Sequence, residues 1–171
     1  MEAITSGDSN TAIGKFALDA VQTVSQNTAV GANALSAVTT ADNTAVGYRA
    51  AYRVTTGDNL VAIGSSAMSG ASNVSAASVA VGNSAMGGAV SADNCVAVGH
   101  DCLSGNITGD GNTAVGKQAI ATVNTANNTG VGMRAGWKVT GEGNTFMGTN
   151  AAKNATSCDY SVIIGNSAVG T

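Results

Sequence analysis

The segment Asn112–Ile120, NTAVGKQAI, contains the pattern that decides the fold of this chain. The string Asn-Thr-Ala-Val/Ile-Gly recurs, with substitutions, from one end of the 171-residue sequence to the other. Successive repeat glycines are 16 to 18 residues apart, so one short unit accounts for nearly the whole chain. The ten repeat glycines are Gly14, Gly31, Gly47, Gly64, Gly82, Gly99, Gly116, Gly132, Gly148 and Gly165.

The positions around each glycine are equally regular. The residue before it is always apolar, and the third residue after it is Ala in nine repeats and Cys102 in the sixth. So regular an alanine indicates a place where backbones approach closely and a longer side chain would clash. The fourth residue after the glycine is usually larger: Leu18, Leu35, Met68, Met86, Leu103, Ile120 and Val169. A further apolar residue often follows seven or eight places after the glycine: Val21, Val38, Val54, Val90, Ile107, Val123 and Val139.

A repeat of this length predicts an all-β solenoid. Helical repeats need about 33 residues or more, whereas about 17 residues suit two or three short strands joined by tight turns. The Thr-Ala-Val segment alternates across two faces, and stacked coils place equivalent residues about 4.8 Å apart. The absence of proline agrees, because each ladder needs its N–H donors. We therefore expect one repeat domain over residues 1–171, with a lead-in at 1–9 and ten coils over 10–171.

An α-solenoid is the alternative, and it rests on Ala-rich pieces such as 31–38, GANALSAV. Gly, Thr, Asn and Val interrupt every such stretch within a few residues, and short isolated helices are marginal in water. The β-solenoid is the favoured prediction.

The apolar ladders also predict self-association. A narrow coil lined by Ala does not have room for all of its Val, Leu and Met side chains, so we expect the larger positions to face another chain. Three solenoids sharing one core around a three-fold axis would bury them as a homotrimer. The alternative is a monomer with every apolar ladder inside.

Composition excludes several classes of partner. Seven basic and ten acidic residues give a net charge of −3, which leaves no basic stripe for nucleic acid and disfavours anionic membranes. No window approaches 18 apolar residues, and the N-terminal segment MEAITSGDSN does not resemble a secretory signal. Three cysteines, few and odd in number, fit assembly in a reducing compartment.

Particular repeats resemble known families. The segments 78–86, SVAVGNSAM, and 161–169, SVIIGNSAV, are similar to head repeats of trimeric autotransporter adhesins, which form a left-handed parallel β-roll. The longer form at 43–51, NTAVGYRAA, resembles repeats of bacteriophage fibre and other virion proteins. This resemblance implies a trimeric, surface-displayed structural or adhesive protein. The chain departs from the adhesin pattern in its longer unit and in showing no signal peptide, heptad stalk or membrane anchor.

His100, Cys95 and Cys102 are the candidates for chemistry. Trimeric left-handed β-helix acyltransferases use a histidine base, but their coils are regular, and the position of His100 is held elsewhere by residues typical of a solvated face, such as Lys15, Ser65 and Lys117. The spacing C-x4-H-x-C lacks the paired ligands of a zinc site, so Cys102 is better interpreted as a small buried residue. A disulfide to Cys158 would cross more than three coils, about 15 Å, which is beyond its reach.

The remaining motifs are weaker. The turns Gly57-Asp58, Gly109-Asp110-Gly111 and Gly141-Glu142-Gly143 lack the full register of calcium-binding β-rolls and predict solvated turns. The glycine-rich runs lack the ending of a phosphate-binding loop. A partial threonine ladder, which would suit ice binding if unbroken, is interrupted by Val61, Val79, Val96 and Val162; it comprises Thr11, Thr28, Thr44, Thr113, Thr129 and Thr145. Candidate glycan-binding aromatics are Tyr48, Tyr52, Trp137 and Tyr160.

Together these observations predict a structural protein with no catalytic, cofactor-binding or metal-binding residues. We expect a bacteriophage virion protein assembled in the host cytoplasm, most simply a capsid decoration or cement trimer that contacts the major capsid protein. The alternatives are a tail-fibre or receptor-binding segment and the head domain of a bacterial trimeric adhesin.

Overall fold

The computed structural model describes residues 7–20, 23–70, 77–89, 91–106, 108–155 and 157–169. Each repeat contributes one three-residue strand immediately before its glycine. The strands are β1 (Thr11–Ile13), β2 (Thr28–Val30), β3 (Thr44–Val46), β4 (Val61–Ile63), β5 (Val79–Val81), β6 (Val96–Val98), β7 (Thr113–Val115), β8 (Thr129–Val131), β9 (Thr145–Met147) and β10 (Val162–Ile164).

These strands form one parallel sheet in chain order, β1 to β10. Equivalent residues pair in register, so Thr11 lies beside Thr28 and Ile13 beside Val30. A chain that returns each time to the next position of the same sheet is a β-solenoid, which confirms the predicted fold class. The α-solenoid alternative is wrong, because the described residues contain no helix.

The number of strands per repeat differs from expectation. The sequence predicted two or three, whereas the described residues contain one per repeat. The reason lies after the glycine, where the second and fourth residues have left-handed backbone conformations, for example Phe16 at φ 58° and Leu18 at φ 52°. These alternate turns interrupt the extended backbone, although the coils stay bonded there: Leu18 N–H donates to the Ala34 carbonyl at 3.1 Å.

Position 0 is the repeat glycine, and the other positions of each repeat are numbered from it. The core is built from positions −2, +3, +4 and +7, which point into the coil. The alanines at −2 and +3 are small, and this leaves room inside one coil for the larger residue at +4. Leu18, Leu35, Met68, Leu103 and Ile120 are accordingly buried almost completely. The expectation that these larger residues face another chain is therefore wrong.

Position +7 completes the core, with Val38, Val54, Val123 and Val139 fully buried. Val21, Val90 and Ile107, which the sequence placed with the apolar residues of this region, lie outside the described residues. Val169, at position +4 of the repeat of Gly165, is 77% exposed.

Asparagine at position −4 joins the coils from the inside. The Asn128 side-chain oxygen accepts a hydrogen bond from the Asn144 backbone N–H at 3.1 Å, and Asn112 serves Asn128 in the same way at 2.8 Å. The side-chain nitrogens donate to turn carbonyls, such as that of Asn112 to the Thr125 carbonyl. Because these amides are buried and bonded on both sides, they hold consecutive turns in register.

Glycine at position 0 is required on two grounds. Gly47 has φ +137°, a conformation that side chains rarely adopt. A Cβ atom there would lie 2.5 Å from the carbonyl oxygen of Gly64 in the next coil. The glycine ladder thus permits the tight corner that separates the sheet from the turns after it.

Candidate functional site

The outer side of the sheet is an apolar surface. Strand residues at −3 and −1 point away from the core, and we call them the sheet face. Position −1 carries an apolar side chain on all ten strands, and several of these are more than a third exposed. The exposed members are Ile13, Val46, Ile63, Val98, Val115, Met147 and Ile164. The threonine ladder occupies position −3 of the same face, with its four valine interruptions.

Carboxylates gather on one side of this face. Positions −6 and −5, in the turn that enters each strand, hold seven of the ten acidic residues of the chain. All but the half-buried Asp93 are exposed. We call this set the acidic edge: Asp8, Asp42, Asp58, Asp93, Asp110, Glu142 and Asp159.

The three acid-containing turns noted in the sequence belong to this edge. Asp58, Asp110 and Glu142 are exposed, as predicted for solvated turns, while Gly57, Gly109 and Gly141 beside them are buried. Asp110 also accepts a hydrogen bond from the Asp93 backbone N–H at 2.9 Å in the neighbouring turn.

All seven lysine and arginine residues lie on the other side of the sheet face, at positions +1, +2, +5 and +6. We call this set the basic edge: Lys15, Arg49, Arg53, Lys117, Arg134, Lys138 and Lys153. Only two carboxylates, Asp19 and Asp101, occupy these positions. Overall composition does not show this separation of acidic and basic residues. It is visible in the sequence only when each charged residue is counted from its repeat glycine.

Aromatic residues are part of the basic edge. The Arg49 guanidinium lies 5.1 Å from the ring centre of Tyr48 and 5.3 Å from that of Tyr52, so the structure brings these two predicted aromatics together. Both distances are within the range of cation–π attraction. The contacts also show that positions +1, +2 and +5 share one surface.

A second aromatic cluster lies in repeats 8 and 9. Three cationic groups lie over the Trp137 ring. Their distances to the ring centre are 4.8 Å for Lys138 Nζ, 5.6 Å for Arg134 Cζ and 5.7 Å for Lys153 Nζ. Arg134 also donates a hydrogen bond to the Gln118 side-chain oxygen at 3.0 Å. Trp137 therefore concentrates three cations at one place, five repeats away from Tyr48 and Tyr52.

Tyr160, the fourth predicted aromatic, lies apart on the acidic edge. Its hydroxyl donates a hydrogen bond to the Glu142 carboxylate at 2.7 Å. This bond, with the negative charge of Glu142, raises the pKa of Tyr160 above its ordinary value. Tyr160 is 77% exposed and does not join the cluster around either Tyr48 or Trp137.

An open groove of about 430 Å³ adjoins the first aromatic cluster. It runs over repeats 1 to 3 and contains one cation, one carboxylate and several neutral polar groups. Its lining consists of Phe16, Asp19, Asn33, Ser36, Ala37, Tyr52 and Arg53.

The residues considered for catalysis or metal binding do not converge. His100 is exposed and its Nδ1 lies 3.1 Å from an Asp101 carboxylate oxygen. Cys95 and Cys102 are buried inside the coil, and burial raises the pKa of the Cys102 thiol to about 12. All three cysteines are unpaired. Among the described residues, no group of three or more His, Cys, Asp or Glu side chains is arranged to hold a metal ion.

Comparison of the chain with family models, with curated proteins and with solved structures gives no match. In the part of the chain that the structure describes, no helix has the length and hydrophobicity to span a bilayer.

Proposed function

We propose that this chain is a non-enzymatic bacteriophage virion protein that acts as a capsid decoration or cement trimer on the head surface. The observation that carries the proposal is the sheet face, where position −1 is apolar on all ten strands and exposed on seven of them. Large contiguous apolar patches on soluble proteins mark interaction surfaces. A homotrimer would cover part of this ladder, and subunits of the major capsid protein are the proposed further partners.

The rigidity of the solenoid supports a clamping role. Every described coil is bonded to its neighbours through the backbone, and the asparagine ladder adds buried bonds inside. A preorganised surface loses little conformational entropy when it binds. A rigid block seated on neighbouring shell subunits would add contacts between them without having to fold first.

Copy number in purified particles tests this proposal. Quantitative mass spectrometry of intact virions should find hundreds of copies per particle, in a fixed ratio to the major capsid protein. A few dozen copies or fewer would assign the chain to a fibre instead. Absence from particles would contradict both assignments.

The proposed oligomeric state has its own test. Multi-angle light scattering of the purified chain should give about three times the 16.5 kDa chain mass. A 16.5 kDa particle at micromolar concentration would contradict the trimer.

A tail-fibre or receptor-binding segment is the second candidate. It is favoured by the aromatic residues of the basic edge, where Tyr52 and Phe16 line an open groove. Aromatic faces with nearby polar groups suit sugar binding, so this candidate predicts that the purified chain binds host cells or a host glycan. The adhesin-head alternative would instead require a gene that encodes a secretion signal and an anchor.

A further inference from the structure

We infer that copies of this chain associate side by side with their solenoid axes parallel, so that each repeat lies beside the repeat of the same number in the next copy. In this arrangement the acidic edge of each copy contacts the basic edge of the next. The inference rests on the self-association within the proposed function, but it concerns the direction and register of the copies and not the particle in which they occur.

Opposite charges are separated across the sheet face. Each strand has only three residues, so the acidic turn before it and the basic positions after it flank the same narrow surface. Any second copy that covers the apolar ladder therefore also contacts charges of one sign on one side and of the other sign on the opposite side. Complementary charges around an apolar centre fix the orientation and register of partners.

The acidic and basic edges also carry charges in the same repeats. Four repeats, the first, third, seventh and ninth, carry a member of both edges. When repeats of the same number lie side by side in two copies, the acid of each such repeat in one copy faces the cation of that repeat in the other. The pairs are Asp8 with Lys15, Asp42 with Arg49 and Arg53, Asp110 with Lys117, and Glu142 with Lys153.

The lysine and arginine side chains have no ionic partner among the described residues of their own chain. Across the described ranges, none of the seven lysine and arginine side chains lies within ion-pair distance of a carboxylate. Arg49 and the three cations around Trp137 lie on aromatic rings instead. The basic edge is therefore available to carboxylates of another molecule.

Symmetry then selects the direction. Rotation about an axis parallel to the solenoid carries the acidic edge of one copy towards the basic edge of the next, as in a closed ring. A two-fold axis perpendicular to the solenoid turns one copy upside down and brings each edge against its own kind. Seven carboxylates would then face seven carboxylates, so antiparallel packing is disfavoured.

Charge reversal on each edge tests the pairing. The acidic-edge variant carries Asp42→Lys, Asp110→Lys and Glu142→Lys, which changes the formal net charge from −3 to +3 without changing its magnitude. We expect its dissociation constant, measured by sedimentation equilibrium at low salt, to rise at least tenfold. The rise should shrink at high salt, because exposed charges are screened.

The basic-edge variant carries Arg49→Glu, Lys117→Glu and Lys153→Glu, and it should dissociate in the same way. Neither reversed variant should associate alone, because the charges at its three altered pairs are of one sign. An equimolar mixture should associate more tightly than either variant, since contacts between the two variants again oppose charges of opposite sign at these pairs. In a trimer of two chains of one variant and one of the other, two of the three contacts are complementary. Unchanged assembly of both variants would overturn the inference. So would a mixture that associates no more tightly than either variant alone while both remain folded by circular dichroism.

Two further variants control for folding and for local charge. A chain that carries all six reversals has its original net charge and again opposes charges of opposite sign at the three altered pairs, so it should regain the parent assembly. Asp101→Lys changes the same kind of charge on the basic edge, where it should leave association unchanged or strengthen it. If the basic-edge variant kept its assembly but no longer bound heparin, the basic edge would be a binding surface for an acidic polysaccharide. This result would contradict the inference.

Cross-linking determines direction independently of charge. In a Cys158→Ser background, Val46→Cys places a thiol on the exposed sheet face of repeat 3. Parallel copies in register should link Val46→Cys chains to one another through a short bis-maleimide. Antiparallel packing would instead link a Val46→Cys chain to a Val131→Cys chain in repeat 8, and this result would overturn the inference. Both experiments use the purified full chain. Their failure would contradict the pairing of copies, whereas absence of the chain from virions would contradict the proposed function.

Discussion

The alanine at position +3 shows how a single residue limits the coil. Ala85 and Ala119 are fully buried, and each donates its backbone N–H to the glycine carbonyl of its own repeat. Since the interior of the coil is occupied by the larger side chains at position +4, an isobutyl group in place of the alanine methyl has no space. These positions confirm the tight packing that the regular alanine predicted.

We therefore expect Ala119→Leu to lower the free energy of unfolding by about 1–3 kcal/mol, the usual cost of overpacking a core. Urea unfolding followed by circular dichroism measures this free energy, and Ala85→Leu provides a second example. His100→Ala is the matched surface control and should change stability by less than about 0.5 kcal/mol. Tolerance of Leu at both alanines would contradict the packing described here.

The cysteines differ in reactivity because of where the coil places them. Cys102 replaces the +3 alanine, is fully buried and donates its thiol hydrogen to the Gly99 carbonyl at 3.0 Å. Desolvation raises the pKa of the Cys102 thiol to about 12. A raised pKa means less thiolate at any pH below it, about one part in ten thousand at pH 8. Cys158 is only half-buried.

Alkylation at pH 8 should therefore label Cys158 first, with Cys102 protected in the folded chain. Peptide mass spectrometry after timed exposure to iodoacetamide gives the relative rates. All three cysteines should react at similar rates in denaturant. Labelling of native Cys102 as fast as Cys158 would show that the sixth coil opens readily.

At the scale of the element, β9 replaces the usual inward alanine with the large side chain of Phe146. Two residues of the adjacent eighth repeat are smaller than usual in compensation. Gly130 is paired with Phe146 in β8, and Gly136 replaces the usual large residue at +4. A Cβ atom on Gly136 would lie 2.5 Å from Cδ2 of the Phe146 ring. The ring thus fills the space that a leucine occupies in other repeats.

This exchange predicts non-additive mutations. Phe146→Ala should cost about 3–5 kcal/mol through the cavity it leaves, and Gly136→Leu about 1–3 kcal/mol through overpacking. The double variant should be more stable than Phe146→Ala alone, because leucine returns to the arrangement of the other coils. The left-handed backbone permits leucine at +4, as Leu35 shows at φ 47°. Additive losses in a thermal unfolding cycle would contradict this compensation.

The spacing of the repeat glycines was sufficient to predict a β-solenoid with one unit per repeat. It was not sufficient for the strand count, because left-handed φ at Leu18 or Met68 is imposed by the stacked coils and is not a preference of those residue types. Nor did it show which apolar ladder is exposed. Leu35 and Val46 are both apolar and regularly spaced, and only the path of the backbone places Leu35 inside and Val46 outside.

The candidate site was predictable only in part. Tyr48, Tyr52 and Trp137 were recognised as candidate aromatics, but their separation in sequence hid the contact that Arg49 makes with both tyrosines. Total charge also obscured the two edges, since a net charge of −3 is small although the charges are separated in space. The separation becomes visible only when each charge is placed relative to its repeat glycine.

The whole molecule is a linear array of nearest-neighbour contacts. Each strand contacts only the strands before and after it, and hydrogen bonds between repeats join adjacent coils. In such an array stability is the sum of the repeats and the interfaces between neighbours, so an internal unit is dispensable if the register is kept.

Deletion of residues 99–115 tests this architecture. It removes one complete 17-residue unit and joins Val98 to Gly116, so that an apolar residue again precedes the repeat glycine. We expect the shortened chain to fold, with an unchanged circular dichroism signal per residue and a modestly lower melting temperature, because one unit and one interface are lost. Deletion of residues 108–115 removes about half a unit and is the matched control. It places inward residues outside and leaves the paired strands out of register, so this chain should fail to fold cooperatively. Equal effects of the two deletions would contradict the independence of the coils.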